Sequence, residues 1–336
     1  MSTYRRSSVL FLATFWALAV LLAGCASEQV IHANAPPASR AEQPPDEQRL
    51  VDVAIAVFAP GLSAEGESIE NSDGYREIRR AEARYLPYTL KKTLDKSGQW
   101  GAVRLVPDSE RSADVLVTGE IVESNGAELS VDVEIRDATG RVWLSRRYSA
   151  LASRYAYLDE HFVEDDPFQA VYNTIANDML AASRNLEDQS LETARSIAEL
   201  RFAADLAPDV FGGYLAEDST GKFVLNRLPA TDDPMLWRAR RIRQRDLMLL
   251  DTLDGYYANF YRDMKPAYRE WLKSSYEESI ELQKLQRSAR NRMGMGAAAV
   301  VAGVAGGVNS DGSAGQIVSL ATAAGGATVF ASGVKK

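Results

Sequence analysis

Thiol and imidazole chemistry is almost missing from this chain. Among 336 residues there is one cysteine, Cys25, and there are two histidines, His32 and His161. A single thiol cannot form an intrachain disulfide, and two imidazoles remove most histidine-based catalytic and zinc arrangements. A basic surplus is missing too. Lys and Arg number 38 against 46 Asp and Glu, a formal net charge of −8, so binding to nucleic-acid phosphates has no electrostatic footing. No paired-carboxylate motif, phosphate-cradling loop or Ser-His-Asp set in a supporting context is present. The chain reads as a non-enzyme with no cofactor and no resident metal, long enough for roughly two domains of about 150 residues.

What is there begins at the amino terminus. Arg5 and Arg6 precede a nearly uncharged apolar run over 9–22, and Leu21-Leu22-Ala23-Gly24-Cys25 closes it. A positive start, a short apolar middle and a small-residue cleavage site make an export signal. An uncleaved anchor would need roughly 20 apolar residues and leaves the position of the one cysteine unexplained. The pattern resembles the lipobox of bacterial lipoproteins. That resemblance implies removal of residues 1–24, a diacylglyceryl group on the Cys25 thiol, an acylated new amino terminus and membrane attachment through acyl chains, which exceeds the two signals needed for stable anchoring. Ala26 and Ser27 follow the cysteine in place of the Asp that retains such proteins in the inner membrane. The implied location is the outer membrane, lipid-anchored and facing the periplasm, with exposure at the cell surface left open. Residues 25–48 are rich in Pro, Ala, Gln and acids with no apolar period, and read as a lipidated tether that carries an inert His32.

From residue 49 the pattern changes. Val51, Val53, Ile55 and Val57 alternate with Asp52 and small Ala54 and Ala56, a strand period. A helix is predicted over 74–96, stopped by Ser97-Gly98, with Pro87 expected to break or kink it. Strand signals return at 102–106, 114–122, 128–136 and 142–148, with Asn125-Gly126 and Thr139-Gly140 as turns. The predicted fold class is α+β: a small mixed sheet of β-α-β plus a three-strand meander under one helical layer, then a mainly α-helical region and a Gly/Ala-rich helical hairpin. The stretches VAIAVF at 53–58, ADVLVTGEI at 113–121 and IRDATGRVWLSRRY at 135–148 resemble a periplasmic α/β domain. It is found in curli-secretion lipoproteins, in lipoproteins that activate penicillin-binding proteins, and at the N-terminus of the Tol-system propeller protein. The resemblance covers about 100 residues and implies a recognition or assembly domain over 49–155, with no catalytic residues to carry across.

Residues 156–292 read as a helical domain. Asp165 or Asp166 and Pro167 open a helix that carries Phe168, Val171, Tyr172, Ile175, Met179 and Leu180. Residues 208–234 form an irregular connector with a short hairpin near Ser219-Thr220-Gly221, and a second helical region follows over 234–292. Within 160–166, Glu160, His161, Glu164, Asp165 and Asp166 allow a metal site to be drawn, but an acidic helix start is the simpler reading. Arg238, Arg240, Arg241, Arg243 and Arg245 offer contact with anionic headgroups or an acidic partner, or form a solvated helix face. Tyr257, Tyr261, Met264, Tyr268, Trp271 and Ser275 step by four and three, a packing seam or else a carbohydrate or peptide platform. Pro266 implies a kink there, or two helices meeting.

Between 293 and 334 only Asp311 is charged. Two Gly/Ala-rich arms, 293–308 and 314–331, flank a turn at 309–312. Ala299, Gly303 and Gly307 on one arm, and Ser319, Ala323, Ala327 and Ala331 on the other, recur every four residues, the spacing of close helix contact. The tail resembles the glycine-zipper hairpins of other envelope proteins. It is expected either to insert in a membrane or form oligomers, to pack on the protein itself, or to stay unstructured. The functional expectation is a lipoprotein that assembles an envelope or secretion complex with envelope proteins or copies of itself. A periplasmic regulator docking on a cell-wall synthase or export machine, and a peptidoglycan or polysaccharide hydrolase, are the alternatives.

Overall fold

The computed structural model describes residues 27–31, 36–43, 45–62, 73–109, 113–157, 166–230 and 232–308, with backbone alone for 27–30 and 290–308. Strands are β1 (Ser27–Ile31), β2 (Val53–Ala56), β3 (Val103–Val106), β4 (Val115–Ser124), β5 (Glu128–Asp137), β6 (Val142–Leu151), β7 (Leu215–Glu217) and β8 (Phe223–Leu225). Helices are α1 (Asp73–Ser97), α2 (Gln169–Arg184), α3 (Asp188–Leu206), α4 (Pro208–Phe211) and α5 (Pro234–Val308). The fold is α+β, with one mixed sheet in the order β1-β6-β5-β4-β2-β3. Only β5 runs against the others, pairing antiparallel with β4 and β6. The chain divides into two units, one of 1–124 and 128–267, the other of 125–127 and 268–336.

In the first unit, strand alternation sorts the side chains. Val53 and Ile55 lie on one face of β2 and Ala54 and Ala56 on the other, all buried. On the first face α1 packs against β2, β3 and β4, while α2 packs against β6 and β1. Asp178 of α2 ties that layer down, accepting from Tyr148 Oη at 3.1 Å and Arg146 Nη1 at 2.8 Å. On the second face Leu250 of α5 meets Ala54, Ala56 and Val106, with Leu247 and Leu253 beside it. The two alanines are small enough for a helix to lie close over them. α5 also reaches β3, the strand at the outer edge of the sheet, through Val106 and Arg104. Arg104 Nε reaches Asp251 at 2.7 Å, Lys91 Nζ reaches Asp254 at 3.1 Å, and Tyr261 stacks on Tyr85 with ring centroids 4.6 Å apart.

Several expectations need correction. The predicted tether over 25–48 is not free where it is described, at 27–31, 36–43 and 45–48. β1 pairs in parallel with β6 from Ser27↔Arg146 to Ile31↔Ala150, and Ile31 is buried. Further along, Asn177 brackets the segment, its Oδ1 accepting from Ser39 N–H and its Nδ2 donating to the Pro37 carbonyl. Ala41 N–H donates to the Ser97 carbonyl, Arg195 donates to the carbonyls of Glu47 and Gln48, and Arg49 pairs with Asp188. Backbone groups hold it, so no apolar period was needed. The helix around Pro87 is not broken either. Proline has no N–H for the carbonyl four residues back, and that carbonyl, on Ala83, instead accepts from Phe58 N–H at 2.9 Å. Pro266 likewise lies inside continuous α5, at an exposed position. The hairpin near Ser219-Thr220-Gly221 is present as β7–β8.

The second unit joins a turn to a helix. Asn125-Gly126-Ala127 lies against α5, where Ser275 Oγ and Ser279 Oγ both donate to the Asn125 carbonyl. Gly126 has φ of 68°, and a Cβ there would come within 2.2 Å of the Leu272 carbonyl oxygen. Gly126→Ala is therefore expected to lower the free energy of unfolding by about 1–3 kcal/mol, read as a lower thermal midpoint. A variant that melts with the wild type would contradict this account of the turn.

Candidate functional site

Parallel pairing of β2 and β4 sets Val53 opposite Val115. The residues just ahead of each strand, Asp52 and Asp114, are thereby brought side by side from 62 positions apart. Asp114 Oδ2 accepts from Asp52 N–H at 3.0 Å, and the Asp52 carbonyl accepts from Val115 N–H at 3.1 Å. Asp52 Oδ1 accepts from Ala102 N–H at 2.8 Å, and its Oδ2 takes Arg104 Nη1 at 3.2 Å. The pair thus closes the starts of three strands. Gly101 makes room, since a Cβ there would meet Asp52 Oδ1 at 2.5 Å.

Above this ledge lie two adjoining cavities of about 310 and 380 Å³ that share Asp52, Arg243 and Leu247. Helix α3 supplies Phe202 and Asp205 to one and Glu192, Arg195 and Glu199 to the other; α5 supplies Arg243, Asp246, Leu247 and Leu250. Among the described residues their walls carry seven carboxylates and three guanidiniums, and several of the carboxylates are paired, Asp52 with Arg104 and Glu199 with Arg240. Arg243 Nη2 stands 3.6 Å from Asp114 Oδ1, an electrostatic contact beyond hydrogen-bond range, and its Nε has no hydrogen-bond partner among the described residues. Arg240 sits beside the site, donating from Nε and Nη2 to the two oxygens of Glu199.

The structure separates the arginines that the sequence groups. Arg240 and Arg243 turn inward onto Glu199 and Asp114, while Arg238, Arg241 and Arg245 are exposed. The five do not form one anionic-contact surface, because helical geometry sends neighbours to different faces. In the aromatic seam, Tyr261 and Tyr268 are buried, and Tyr268 stacks on Trp271 at 5.5 Å, as a packing stripe does. Of the acidic run 160–166 only Asp166 is described; its Oδ1 accepts Phe168 N–H at 2.9 Å, a helix-start bond. Among the described residues no group of three or more His, Cys, Asp or Glu is arranged to hold a metal ion. Cys25, Ser319, Ala323, Ala327 and Ala331 lie outside the described residues, whereas Ala299, Gly303 and Gly307 fall on the helical backbone of α5. Among the described residues no helix is long and apolar enough to cross a membrane.

The motif DATGRVW also has a structural role. Asp137, buried, accepts from Thr139 N–H at 2.9 Å and Trp143 Nε1 at 2.9 Å, which sets the β5–β6 turn. Sequence reasoning missed Asp52, Arg104 and Asp114 as a group. The available signal was a repeated Asp-Val at two strand starts, Asp52-Val53 and Asp114-Val115. No protein-family profile, curated protein or solved structure matches the chain.

Burial raises the Asp114 carboxyl above its ordinary value of 3.8, against the lowering pull of the Asp52 N–H and of Arg243. Between the unfolded value and this raised one, the folded chain holds more protons than the unfolded chain. Stability from this group is therefore present at low pH and is lost as pH rises through that window. Asp114→Asn keeps an acceptor for Asp52 N–H and removes the titration. Urea midpoints of both proteins from about pH 4 to 7 are expected to show the wild type losing ground to the variant as pH rises. A constant gap would refute the assignment.

Proposed function

We propose that the protein is a non-enzymatic lipoprotein of the outer membrane, anchored through Cys25, that assembles an envelope or secretion complex. The anchor rests on Leu21-Leu22-Ala23-Gly24-Cys25 behind a short apolar run. The observation that carries the assembly reading lies in the second unit. Residues 281–288 of α5 are exposed around the whole circumference, with Leu282 at 56% and Leu285 at 61% exposure. Leu282 and Leu285 are the two apolar residues of this otherwise polar stretch, three apart on one side of the helix. Leu282 and Leu285 also continue the step of Tyr268, Trp271, Ser275 and Glu278 by fours and threes, a coiled-coil period. Envelope proteins or further copies of this chain are the occupants, and the backbone of α5 continues past Leu285 to Val308.

The regulator reading, docking on a cell-wall synthase or export machine, draws support from the acidic cleft of the first unit. The hydrolase reading draws less. Asp52 and Asp114 share one wall of the cleft, joined through Asp52 N–H, whereas glycosidase carboxylates flank the scissile bond from two sides.

Two measurements test the proposal. Cys25→Ser is expected to abolish incorporation of labelled palmitate and to move the protein out of the outer-membrane fraction; retained labelling would refute lipidation at this residue. Deletion of residues 293–336 is expected to dissociate oligomers of the detergent-solubilised lipoprotein or reduce its need for detergent. A monodisperse monomer before and after deletion would sink the assembly role of the tail.

A further inference from the structure

We propose that the solvent face of α5 between Trp237 and Tyr256 docks on the surface of a bilayer that carries anionic phospholipid headgroups. Two adjacent lines of side chains make this face. Trp237, Arg241, Met248 and Thr252 recur by four, seven and four, and Arg238, Arg245, Leu249 and Tyr256 by seven, four and seven, all of them exposed. At the rise of a helix the stripe is roughly 30 Å long. Trp237, Met248, Leu249 and Tyr256 are each more than half exposed, and none of the three arginines is ion-paired among the described residues. The acids of this stretch are engaged elsewhere: Asp246 lines the cleft, Asp251 pairs with Arg104, and Asp254 pairs with Lys91.

Guanidinium pairs with phosphate oxygens, while Trp, Tyr and aliphatic side chains lodge at the level of the headgroups. An acidic protein partner would account for the arginines alone; apolar side chains interleaved with them along one helix flank suit a lipid surface. Position adds to this, on the reading of Cys25 as acylated. Arg243, on the same stretch of α5, stands 3.6 Å from Asp114, the residue just ahead of β4. β4 and β6 both run against β5, and β1 is parallel to β6, so β4 and β1 point the same way. This part of α5 is therefore at the end of the sheet where β1 begins, two residues past the lipid-bearing cysteine. Anchor and stripe meet the membrane from the same end of the first unit.

The test uses the full-length lipoprotein carrying Thr252→Cys, labelled with bimane at that exposed position, on vesicles that contain a spin-labelled quencher lipid. The vesicles are phosphatidylcholine alone or an equal mixture with phosphatidylglycerol. Flotation with phosphatidylcholine reads the acyl anchor, and quenching that needs phosphatidylglycerol reads the stripe, so the two fail separately. Quenching is expected in the mixed vesicles and is expected to fall at high salt. Arg238→Gln/Arg241→Gln/Arg245→Gln is expected to lower the docked-to-free ratio about a hundredfold. Trp237→Ser/Met248→Ser is expected to return quenching toward its level in phosphatidylcholine. Equal quenching in the two kinds of vesicle, or undiminished quenching in either variant, overturns the proposal. An emission shift with soluble polyglutamate and none with the mixed vesicles overturns it too, and assigns the arginines to an acidic protein.

Discussion

The first unit depends on β2, four residues long, being paired in parallel on both edges. Parallel neighbours cannot be joined by tight turns, so each edge imposes a crossing. α1 makes one, and the chain between β3 and β4 makes the other. The alternation of β2 then sets both layers. Val53 and Ile55 take α1, and Ala54 and Ala56 admit α5. Beyond its end, Phe58 spends its N–H on the carbonyl that Pro87 leaves without a helical donor, and its ring lies where a Cβ of Gly119 would be, 2.8 Å away. Phe58 thereby touches both elements, through its N–H to the helix carbonyl and through its ring to the space over Gly119.

The same pairing makes the cleft. Two Asp-Val strand starts become one ledge only when the strands lie in register. The helix walls arrive from α3 and α5, which begin 37 and 83 residues after the end of β6. Charge at this site is consequently distributed over elements that share no local signal.

That distribution explains what could be read from the chain and what could not. Strand alternation at 51–57 and the Asn125-Gly126 and Thr139-Gly140 turns are local, and the sheet follows them to within a few residues. The seam through Tyr261 and Tyr268 is likewise local, and both are buried. The docking of residues 36–49 is not local, because backbone carbonyls and one asparagine hold it and these leave no periodic trace. The split of the arginine run follows from contacts with Glu199 and Asp114, which sequence spacing does not encode. Pro87 misleads for a related reason: its cost is met by an N–H from another strand.

Strand direction has a consequence for orientation. β1, β6, β4, β2 and β3 all point the same way. The start of β1 therefore lies at the same end of the sheet as Asp52 and Asp114. Cys25 is two residues ahead of Ser27, and a chain reaches at most about 3.6 Å per residue, so an acylated Cys25 would hold that end within roughly 7 Å of its lipid. With 24 free residues the leash would have been on the order of 80 Å. A sheet moored in that way would have little freedom to move away from its anchor, with Asp52 and Asp114 at the tethered end.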